Sequence, residues 1–480
     1  MPHSSTCLSR KIASSRQSQR SSAKPSYGSR VDSYPFLISS LEVHPVTTQY
    51  YKQYGETVHR LTLQGRLPVT FIEKPGYHKV YVTLTAPLGA VHRHYLDASA
   101  ARKEVPAGIA HFLEHKIFEQ VGEDISRHFA LHEAQVNAYT EHHRTTYLFS
   151  ATNHVLDNTV RLLEMFFYPR FTPEGVEKEK NIIIEELNMH LDNPHYQQYY
   201  QLLKHMFHDH PVTVDILGTK ESIQAISYEA LSNVHRAYYQ PEKCHLTLVG
   251  DPQHLKVLEA LEAHVTLPTG QGTDVQDFSH AEATCVASSG NVLEADVLMP
   301  SVMFGIKRMQ EGRLEKEEKL RHQIATTLFF DLVFGQSGPY YEAWLDAGLI
   351  NDAYDYEVSF EPSYGMVFIY AETDKPKAFV QTLHETMSTL ATTAPIEEDD
   401  FKRVKRQMLG NFVRSLDALE HLAHESARLA LQGVSVYDLL EVAQTVSLAA
   451  VRDVAKTLAA DTLSSVTMLP IPTNKAPDSE

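Results

Sequence analysis

Five consecutive residues, His111-Phe112-Leu113-Glu114-His115, place two imidazoles and a carboxylate on one face of a helix, because positions i, i+3 and i+4 lie side by side. Two neutral imidazoles four residues apart can bind one zinc ion, and the carboxylate near them can take a proton from an attacking water. The order H-x-x-E-H is the inverse of the commoner H-E-x-x-H. The chain has 27 histidines, so pairs at this spacing also arise by chance, and the intervening Glu114 removes most of those accidents.

A catalytic zinc site needs a third protein ligand and leaves one position for water. The candidate lies in an acidic segment with Pro173 at its first position and Asn193-Pro194 beyond its end, which predicts a helix of about five turns. Glu179 and Glu186 are seven residues apart on this helix and share a face, whereas Glu185 points about 100° away. Composition alone also fits a solvated acidic face, so the residues themselves leave both interpretations open.

Two segments resemble the M16 (pitrilysin or insulinase) family of inverzincin metallopeptidases. The first is His111 to His115, preceded by Gly108-Ile109-Ala110, and the second is Glu179 to Glu186. They are most similar to its half-length bacterial YmfH-like members. The resemblance implies that His111, His115 and Glu186 bind one Zn²⁺ per chain. It implies two catalytic residues, Glu114 as the general base and Glu179 as a supporting glutamate that is not a primary ligand. The spacing from His115 to Glu186 is a little shorter than is usual in the family.

Residues 135–149 resemble the strand pair of the family that begins with Asn-Ala and ends with Thr-x-Tyr. In relatives this edge strand pairs with the substrate backbone, so Asn137 and Ala138 are the implied substrate contacts. An extended peptide adds to a sheet edge through main-chain hydrogen bonds and needs little sequence specificity. The alternation of polar and apolar residues is equally typical of an ordinary strand. Further matches at 217–223 and 248–251 extend the resemblance over roughly residues 45 to 470.

The whole-chain composition fits an enzyme of this kind. With 480 residues and 43% hydrophobic composition, the chain can bury one or two sizeable cores, and its length predicts two or more domains. The formal charge of −17 argues against nucleic acid as a partner and favours an uncharged or basic peptide. No run of about 18 apolar residues is present, so no membrane-spanning helix is predicted. Cys7, Cys244 and Cys285 are odd in number and scattered, which favours a reducing cytoplasm.

Residues 1–31 carry Arg and Lys among many serines and contain no acidic residue. This composition imitates a mitochondrial transit peptide, and it lacks the apolar core of a secretory signal. Because the rest of the chain resembles bacterial proteins, the preferred interpretation is a disordered basic tail over 1–40 or an overcalled start codon. The predicted localisation is therefore cytoplasmic, with mitochondria as a minor alternative.

An internal repeat relates residues 226–249 to residues 446–469 at an offset of 220, and each copy is predicted to be a helix followed by a strand. Residues 266–290 are rich in Thr, Gly, Ser, Asp and Gln, which is typical of a linker. The predicted organisation is a tail over 1–40, a zinc-bearing catalytic domain over 41–265, a linker over 266–290, a second, metal-free domain over 291–470, and a tail over 471–480.

Each half is predicted to be α+β with mostly antiparallel sheets, in the order strands, helices and closing strand. In the first half we predict a hairpin over 58–73 with 79–86, two strands over 135–151, several helices over about 155–240 and a closing strand over 244–250. In the second half we predict a strand over 296–307, a hairpin over 354–372 and two long helices over 312–334 and 396–431. The resemblance implies the same architecture, two homologous M16-type (LuxS/MPP-like) α+β domains that form half of a clamshell chamber.

Two other histidine groups, residues 205–210 and 421–425, contain ligand-type residues without the spacing of the first motif. His421 and His424 fall on a predicted amphipathic helix, where a solvated face is the preferred interpretation. The second half is therefore predicted to hold no metal, which leaves one zinc per chain.

The predicted function is hydrolysis of peptides by a zinc metalloendopeptidase, in which Glu114 takes a proton from water and delivers it to the leaving amine. The alternative is a non-catalytic peptide-binding or assembly subunit of an M16-type complex. A zinc-carrying binding protein would need a fourth ligand, and three are evident. The sequence identifies neither the peptide nor the cleavage rule.

The resemblance also implies a partner. Active relatives close a chamber from four homologous domains, and this chain supplies two. Around Gly348-Leu349 the family pattern places an Arg and a Tyr that hold the substrate, and this chain has Trp344 and Asn351 there, which cannot replace a guanidinium. The implied partner is a homologous zinc-free subunit of the YmfF-like type, or a second copy of the chain, that encloses the peptide.

Overall fold

The structure is a computed structural model that describes residues 46–97, 99, 101–120, 123–269, 282–309, 316–393 and 396–472. The predicted tail over 1–40, residues 270–281 of the predicted linker and residues 473–480 of the predicted C-terminal tail lie outside these residues. No helix in the described ranges is both long and apolar enough to cross a membrane.

The first half of the chain supplies two sets of elements. Its strands are β1 (Thr47–Tyr51), β2 (Glu56–Leu63), β3 (Leu67–Glu73), β4 (Val80–Ala86), β5 (His94–Leu96), β6 (Arg102–Glu104), β7 (Glu119–Gln120), β8 (Glu123–Asp124), β9 (Ala134–Thr140), β10 (Thr145–Ala151) and β11 (His245–Gly250). Its helices are α1 (Ile109–Phe118), α2 (Ile125–Leu131), α3 (Val155–Phe167), α4 (Pro173–Leu191), α5 (Pro194–Met206), α6 (Lys220–Ala225), α7 (Tyr228–Tyr238) and α8 (Leu255–His264).

The second half supplies fewer strands and longer helices. Its strands are β12 (Gly290–Ala295), β13 (Ser301–Lys307), β14 (Asp355–Phe360), β15 (Gly365–Glu372) and β16 (Leu463–Pro470). Its helices are α9 (Lys316–Phe334), α10 (Tyr341–Asp346), α11 (Pro376–Thr392), α12 (Glu398–Ser415), α13 (Leu419–Ala430), α14 (Val436–Thr445) and α15 (Leu448–Ala455).

The larger sheet has seven strands in the order β1-β2-β3-β11-β4-β10-β9, and every neighbouring pair except β3 and β11 is antiparallel. The prediction of a hairpin between 58–73 and 79–86 is wrong, because the segment 79–86 does not pair with the segment before it. The hairpin is formed by β2 and β3, whose turn is closed by Gln64 and Gly65 at positive φ. β4 does not pair with β3, because the closing strand β11 arrives from far along the chain and lies between them.

The smaller sheet has five strands in the order β12-β16-β13-β15-β14 and repeats this pattern. Its closing strand β16 is parallel to β12 and antiparallel to β13, as β11 is to β3 and β4. The offset of 220 is confirmed in detail, because Ser227 caps α7 at the amide of Ala230 and Ser447 caps α15 at the amide of Ala450. The strand predicted over 296–307 begins only at Ser301, and β12 before it was not predicted.

The single helix predicted over 396–431 is wrong. The chain forms α12 and α13, and between them Ala418 has an extended backbone. The break lets α13 leave the second half and pack on β4 and β11 of the larger sheet. In return, α5 leaves the first half and packs on β13 and β16 of the smaller sheet. The two halves therefore exchange one helix each.

The contacts of α5 show how closely it fits its sheet. The side-chain amide of Gln198 donates to the carbonyl of Val466 over 2.9 Å and is buried. A Cβ at Gly305 of β13 would lie 2.4 Å from Sδ of Met206, so a larger residue at this strand position would require the Met206 side chain to move. The apolar core of the second half continues into the larger sheet through Tyr51, Val58, Ile72 and Val249, so the halves share a core.

Candidate metal centre

The helix that carries the first motif, α1, begins where two loops touch. Gly108 precedes the helix at φ +81°, and a Cβ there would lie 2.1 Å from the carbonyl oxygen of Leu217. Gly218 is at φ +87°, and a Cβ on it would lie 2.6 Å from the carbonyl oxygen of Ala107. Both positions therefore need glycine, because a side chain on either one would force the loops apart and shift α1.

The second helix, α4, spans 19 residues, as its sequence predicts. Thr172 Oγ1 accepts a hydrogen bond from the amide of Gly175 over 3.0 Å, and Pro173 occupies the first turn. Glu179 and Glu186 face α1 with little exposure, whereas Glu185 is exposed to solvent. The solvated-face interpretation of this helix therefore holds for Glu185 and not for the other two.

The structure brings the three predicted ligands together. Their donor atoms lie within 4.8 Å of one another. Among the described residues, this is the group of three His, Cys, Asp or Glu side chains placed to hold one metal ion. Nε2 of His111 is 3.8 Å from Oε1 of Glu186, and Nε2 of His115 is 3.5 Å from Oε2 of the same carboxylate. Two atoms that each lie about 2.1 Å from one tetrahedral zinc ion are roughly 3.4 Å apart, so the spacing fits zinc.

Behind this set, a chain of charges links α1 to α4. Oε1 of Glu179 is 3.0 Å from Nδ1 of His115, on the side of the ring away from Glu186. The ammonium of Lys116, fully buried, is 3.7 Å from Oε2 of Glu179 and is paired with the carboxylate of Glu119. A carboxylate at Nδ1 fixes the tautomer that leaves Nε2 available to a metal.

The general-base candidate, Glu114, is 6% exposed and lies beside the ligand set. Thr140 Oγ1 donates a hydrogen bond to Oε2 of Glu114 over 2.6 Å. Burial raises the pKa of Glu114 to about 7, although the charge of His115 and the hydroxyl of Thr140 act in the opposite direction. A carboxyl group with a pKa near neutrality is suited to both accept and return a proton.

The imidazole of His111 is 1% exposed, and burial lowers its pKa well below the ordinary value. The neutral ring is the form that binds a metal. Burial raises the pKa of Glu186, while the charges of His115 and His190 act against that rise.

The predicted substrate contacts lie on β9, which is an edge strand with β10 on one side and no strand on the other within the described residues. Ala138 is buried, and its amide donates to Oδ1 of the neighbouring Asn137 over 2.9 Å. The side chain of Asn137 lines a cavity of about 1430 Å³ between the two halves. That cavity also reaches Thr140, which donates to Glu114, and His190, which lies 4.0 Å from Glu186, so it borders the neighbours of the candidate ligands.

The wall of this cavity is rich in carboxylates. The acidic residues that line it come from both halves and are Glu141, Asp355, Glu357, Glu361, Glu420 and Glu425. The solvated-face interpretation of residues 421–425 is correct for His421, which is exposed, and wrong for His424. His424 is half-buried, and its Nδ1 is 2.6 Å from the hydroxyl of Tyr139, because α13 covers the larger sheet.

The other histidine group, residues 205–210, makes contacts within the fold. His205 Nε2 is 3.0 Å from the side-chain nitrogen of Gln201, and His210 Nε2 is 3.0 Å from the hydroxyl of Ser363. The first contact lies within α5, and the second joins the two halves of the chain.

The two positions where the family resemblance implies a substrate-holding Arg and Tyr have structural roles in this chain. Trp344 is 4% exposed and stacks on Phe334, with ring centroids 5.6 Å apart. The side chain of Asn351 accepts a hydrogen bond from the amide of Ala353 over 2.8 Å, which closes the turn after α10. Neither side chain belongs to the cavity wall.

Three residues at the site escaped sequence reasoning. Thr140 lies within the Asn-Ala-x-Thr stretch that the sequence pattern identified, but the pattern did not predict its hydrogen bond to Glu114. Lys116 directly follows the first motif, and only its burial shows its role. His190 follows Glu186 by four residues on α4, a spacing that would have placed it on the same face.

Family models match two parts of the chain. Residues 99–220 match the model described as insulinase (peptidase family M16), and residues 225–408 match the model described as the peptidase M16 inactive domain. Among curated proteins, the uncharacterized zinc protease YmfH of Bacillus subtilis is 30% identical over 424 residues, which cover 88% of this chain and 98% of the relative. The uncharacterized zinc protease YmxG of the same organism is 25% identical over 75% of this chain and 85% of its own.

Solved structures show the same fold. A crystal structure described as an M16-like peptidase from Alicyclobacillus acidocaldarius superposes with a TM-score of 0.80 at 27% identity, covering 90% of this chain and all of that one. A protease from Helicobacter pylori superposes with a TM-score of 0.73 at 17% identity over 86% of this chain and 99% of its own.

Proposed function

Because this chain belongs to peptidase family M16, the insulinase family, we propose that it is a zinc-dependent metalloendopeptidase. The observation that carries the proposal is the convergence of His111, His115 and Glu186 beside the buried Glu114. A large cavity reaches the neighbouring Thr140 and His190. A zinc ion held by these ligands would polarise the scissile carbonyl and lower the pKa of water at the site.

The residues of the chain have separate roles in this proposal. Glu114 takes a proton from the attacking water and returns it to the leaving amine. The hydroxyl of Thr140 holds the Glu114 carboxylate in place, so that one of its oxygens remains directed to the reaction. Glu179 orients His115 from behind and is not a ligand.

We place the peptide along β9 as an added strand. The amide of Ala138 is then the donor for a substrate carbonyl, and the side chain of Asn137 must release that amide first. Main-chain pairing of this kind selects extended peptides rather than particular side chains. The carboxylates that line the cavity favour uncharged or basic peptides over acidic ones.

We also propose that a second subunit completes the enzyme. In this proposal the chain supplies one catalytic half of a chamber. The positions of a substrate-holding Arg and Tyr hold Trp344, which packs in the core, and Asn351, which closes a turn. A homologous zinc-free subunit would provide those groups from the opposite wall. A second copy of this chain is the other candidate, and it would repeat the same deficit.

The proposal is tested by digestion of a library of unstructured peptides, with products identified by mass spectrometry. The purified chain is assayed alone, with a candidate homologous partner, after zinc removal by 1,10-phenanthroline, and after zinc is restored. Cleavage inside the peptides that disappears with the chelator and returns with zinc supports a metalloendopeptidase. Peptide binding without cleavage under all conditions, including addition of the partner, would instead make the chain a non-catalytic peptide-binding subunit.

A further inference from the structure

His190 lies on the cavity wall one helical turn beyond the third ligand. Its Nε2 is 4.0 Å from Oε1 of Glu186, and 30% of its side chain is exposed. The ring also lines the cavity into which Asn137 and Thr140 face. A peptide that follows β9 to the metal centre would therefore pass His190.

The ring is held by elements that are rigid in the fold. It packs at a tilt against Tyr196, with ring centroids 5.0 Å apart. The hydroxyl of Tyr196 donates to Oδ1 of Asp215 over 2.7 Å, and Asn193 caps the first turn of α5 beside it. His190 is thus positioned between the last turn of α4 and the first turn of α5.

The imidazole of His190 is available for a ligand. Its polar contact is the 4.0 Å approach to Glu186, and it forms no hydrogen bond within the part of the chain that the structure describes. Two neighbouring hydroxyls on the wall are already committed, since Thr140 donates to Glu114 and Tyr196 donates to Asp215. His190 is also not a member of the set of donor atoms within 4.8 Å of one another.

We propose that His190 is a further catalytic residue, which donates a hydrogen bond from Nε2 to the oxygen of the scissile peptide group. The inference rests on the proposed function. A donor directed at an oxygen where negative charge develops stabilises the transition state more than the bound peptide. Because Trp344 packs in the core and Asn351 closes a turn, the chain otherwise offers no such donor at the positions that the family resemblance implies.

The test compares His190→Ala and His190→Gln with the unchanged chain. His264→Ala is the matched control, because His264 also lies in the last turn of a helix and is exposed far from the cavity. Zinc affinity is measured by competition with a chelator. Binding of acetohydroxamate, a small ligand with two oxygens, is measured from the visible spectrum of the Co²⁺-substituted chain. kcat and KM are measured on an unstructured peptide with the partner present.

We expect zinc affinity to stay within about threefold in both variants. Acetohydroxamate affinity should fall about 10-fold in His190→Ala and less in His190→Gln, which keeps an N–H donor. kcat should fall about 10²- to 10³-fold with little change in KM, as for the loss of one directed donor. The control should match the unchanged chain.

Two results would overturn the inference. Loss of zinc from His190→Ala would make His190 a fourth ligand, and unchanged acetohydroxamate affinity and kcat would make it a bystander. If the unchanged chain cleaves no peptide even with its partner, the proposed function fails, and the acetohydroxamate measurement still decides whether His190 faces a ligand at the metal centre.

Discussion

Glu179 and Glu186 hold opposite edges of the same imidazole, since Glu179 Oε1 lies 3.0 Å from Nδ1 of His115 and Glu186 Oε2 lies 3.5 Å from Nε2. In the proposed zinc site, Glu179 would therefore orient the ligand His115 without being a ligand itself. Glu179→Gln should lower zinc affinity roughly 10- to 100-fold, the usual loss when a group behind a ligating histidine is changed. Chelator competition measures it. Lys116→Met should lower affinity in the same direction, and full zinc affinity in both variants would contradict the relationship.

The role of Glu114 is separable from metal binding. Glu114→Gln should retain one zinc per chain and lower kcat by about 10²- to 10⁴-fold, the range that a positioned general base supplies. Metal content is measured by atomic emission. Turnover is measured on an unstructured peptide with the partner present. Loss of zinc from the variant would mean that Glu114 is a ligand instead.

The third ligand is distinguished from its neighbour by helix geometry. Glu186 faces His111 and His115, whereas Glu185 is exposed on the far side of α4. Glu186→Gln should weaken zinc binding more than Glu179→Gln does, and Glu185→Gln should leave it unchanged. Isothermal titration of the metal-free variants with zinc provides the comparison. Equal losses at Glu185 and Glu186 would exclude this assignment.

The chain should show little peptidase activity alone. Trp344 and Asn351 are committed to packing and to a turn, so the substrate-holding groups must come from elsewhere. Addition of a homologous zinc-free subunit should raise kcat/KM at least about 10-fold and should yield a complex of two chains by light scattering. Full turnover by a strict monomer, or by a homodimer, would defeat the partner prediction.

Stability should decrease as the pH falls, partly through a buried histidine that is not one of the proposed site residues. Burial lowers the pKa of His235 to about 4, and its Nε2 lies 2.8 Å from the carbonyl of Phe166. The ring is protonated in the unfolded chain below about pH 6.5 but not in the folded one, so stability is lost between about pH 6.5 and 4. The difference amounts to about 3 kcal/mol.

His235→Gln removes this titrating group and keeps a donor for Phe166. Urea unfolding at several pH values should therefore give a shallower decrease for His235→Gln than for the unchanged chain, by up to about 3 kcal/mol over that interval. His264→Gln, an exposed substitution, is the control. Parallel curves for His235→Gln and the unchanged chain would contradict the assignment.

The faces that carry the candidate ligands were predictable from local rules, whereas the choice of Glu186 as the third ligand came from the family resemblance. His111 and His115 lie one turn apart on a helix, and Glu186 lies on the inner face of another helix whose start at Thr172 and Pro173 can be read from the residue types. A rule that depends on 3.6 residues per turn needs no knowledge of the fold.

The contacts that tune the site were not predictable, because they depend on where distant segments meet. Thr140 reaches Glu114 only because the edge strand β9 passes over α1. β11 lies between β3 and β4 although it is separated from them by more than 150 residues, so the hairpin assigned from adjacency was wrong. The division of residues 396–431 into two helices likewise serves a sheet in the other half of the chain.

The exchange of α5 and α13 limits the motions that can admit a peptide. Each half carries a helix that packs on the other half, and at α5 this packing includes the buried hydrogen bond of Gln198 and the close approach of Met206 to Gly305. Swinging the halves apart as a hinge would expose both helices' apolar faces to water, at a cost on the scale of unfolding. The two halves are therefore expected to move as one body, and in the proposed two-subunit enzyme a substrate would enter between the subunits.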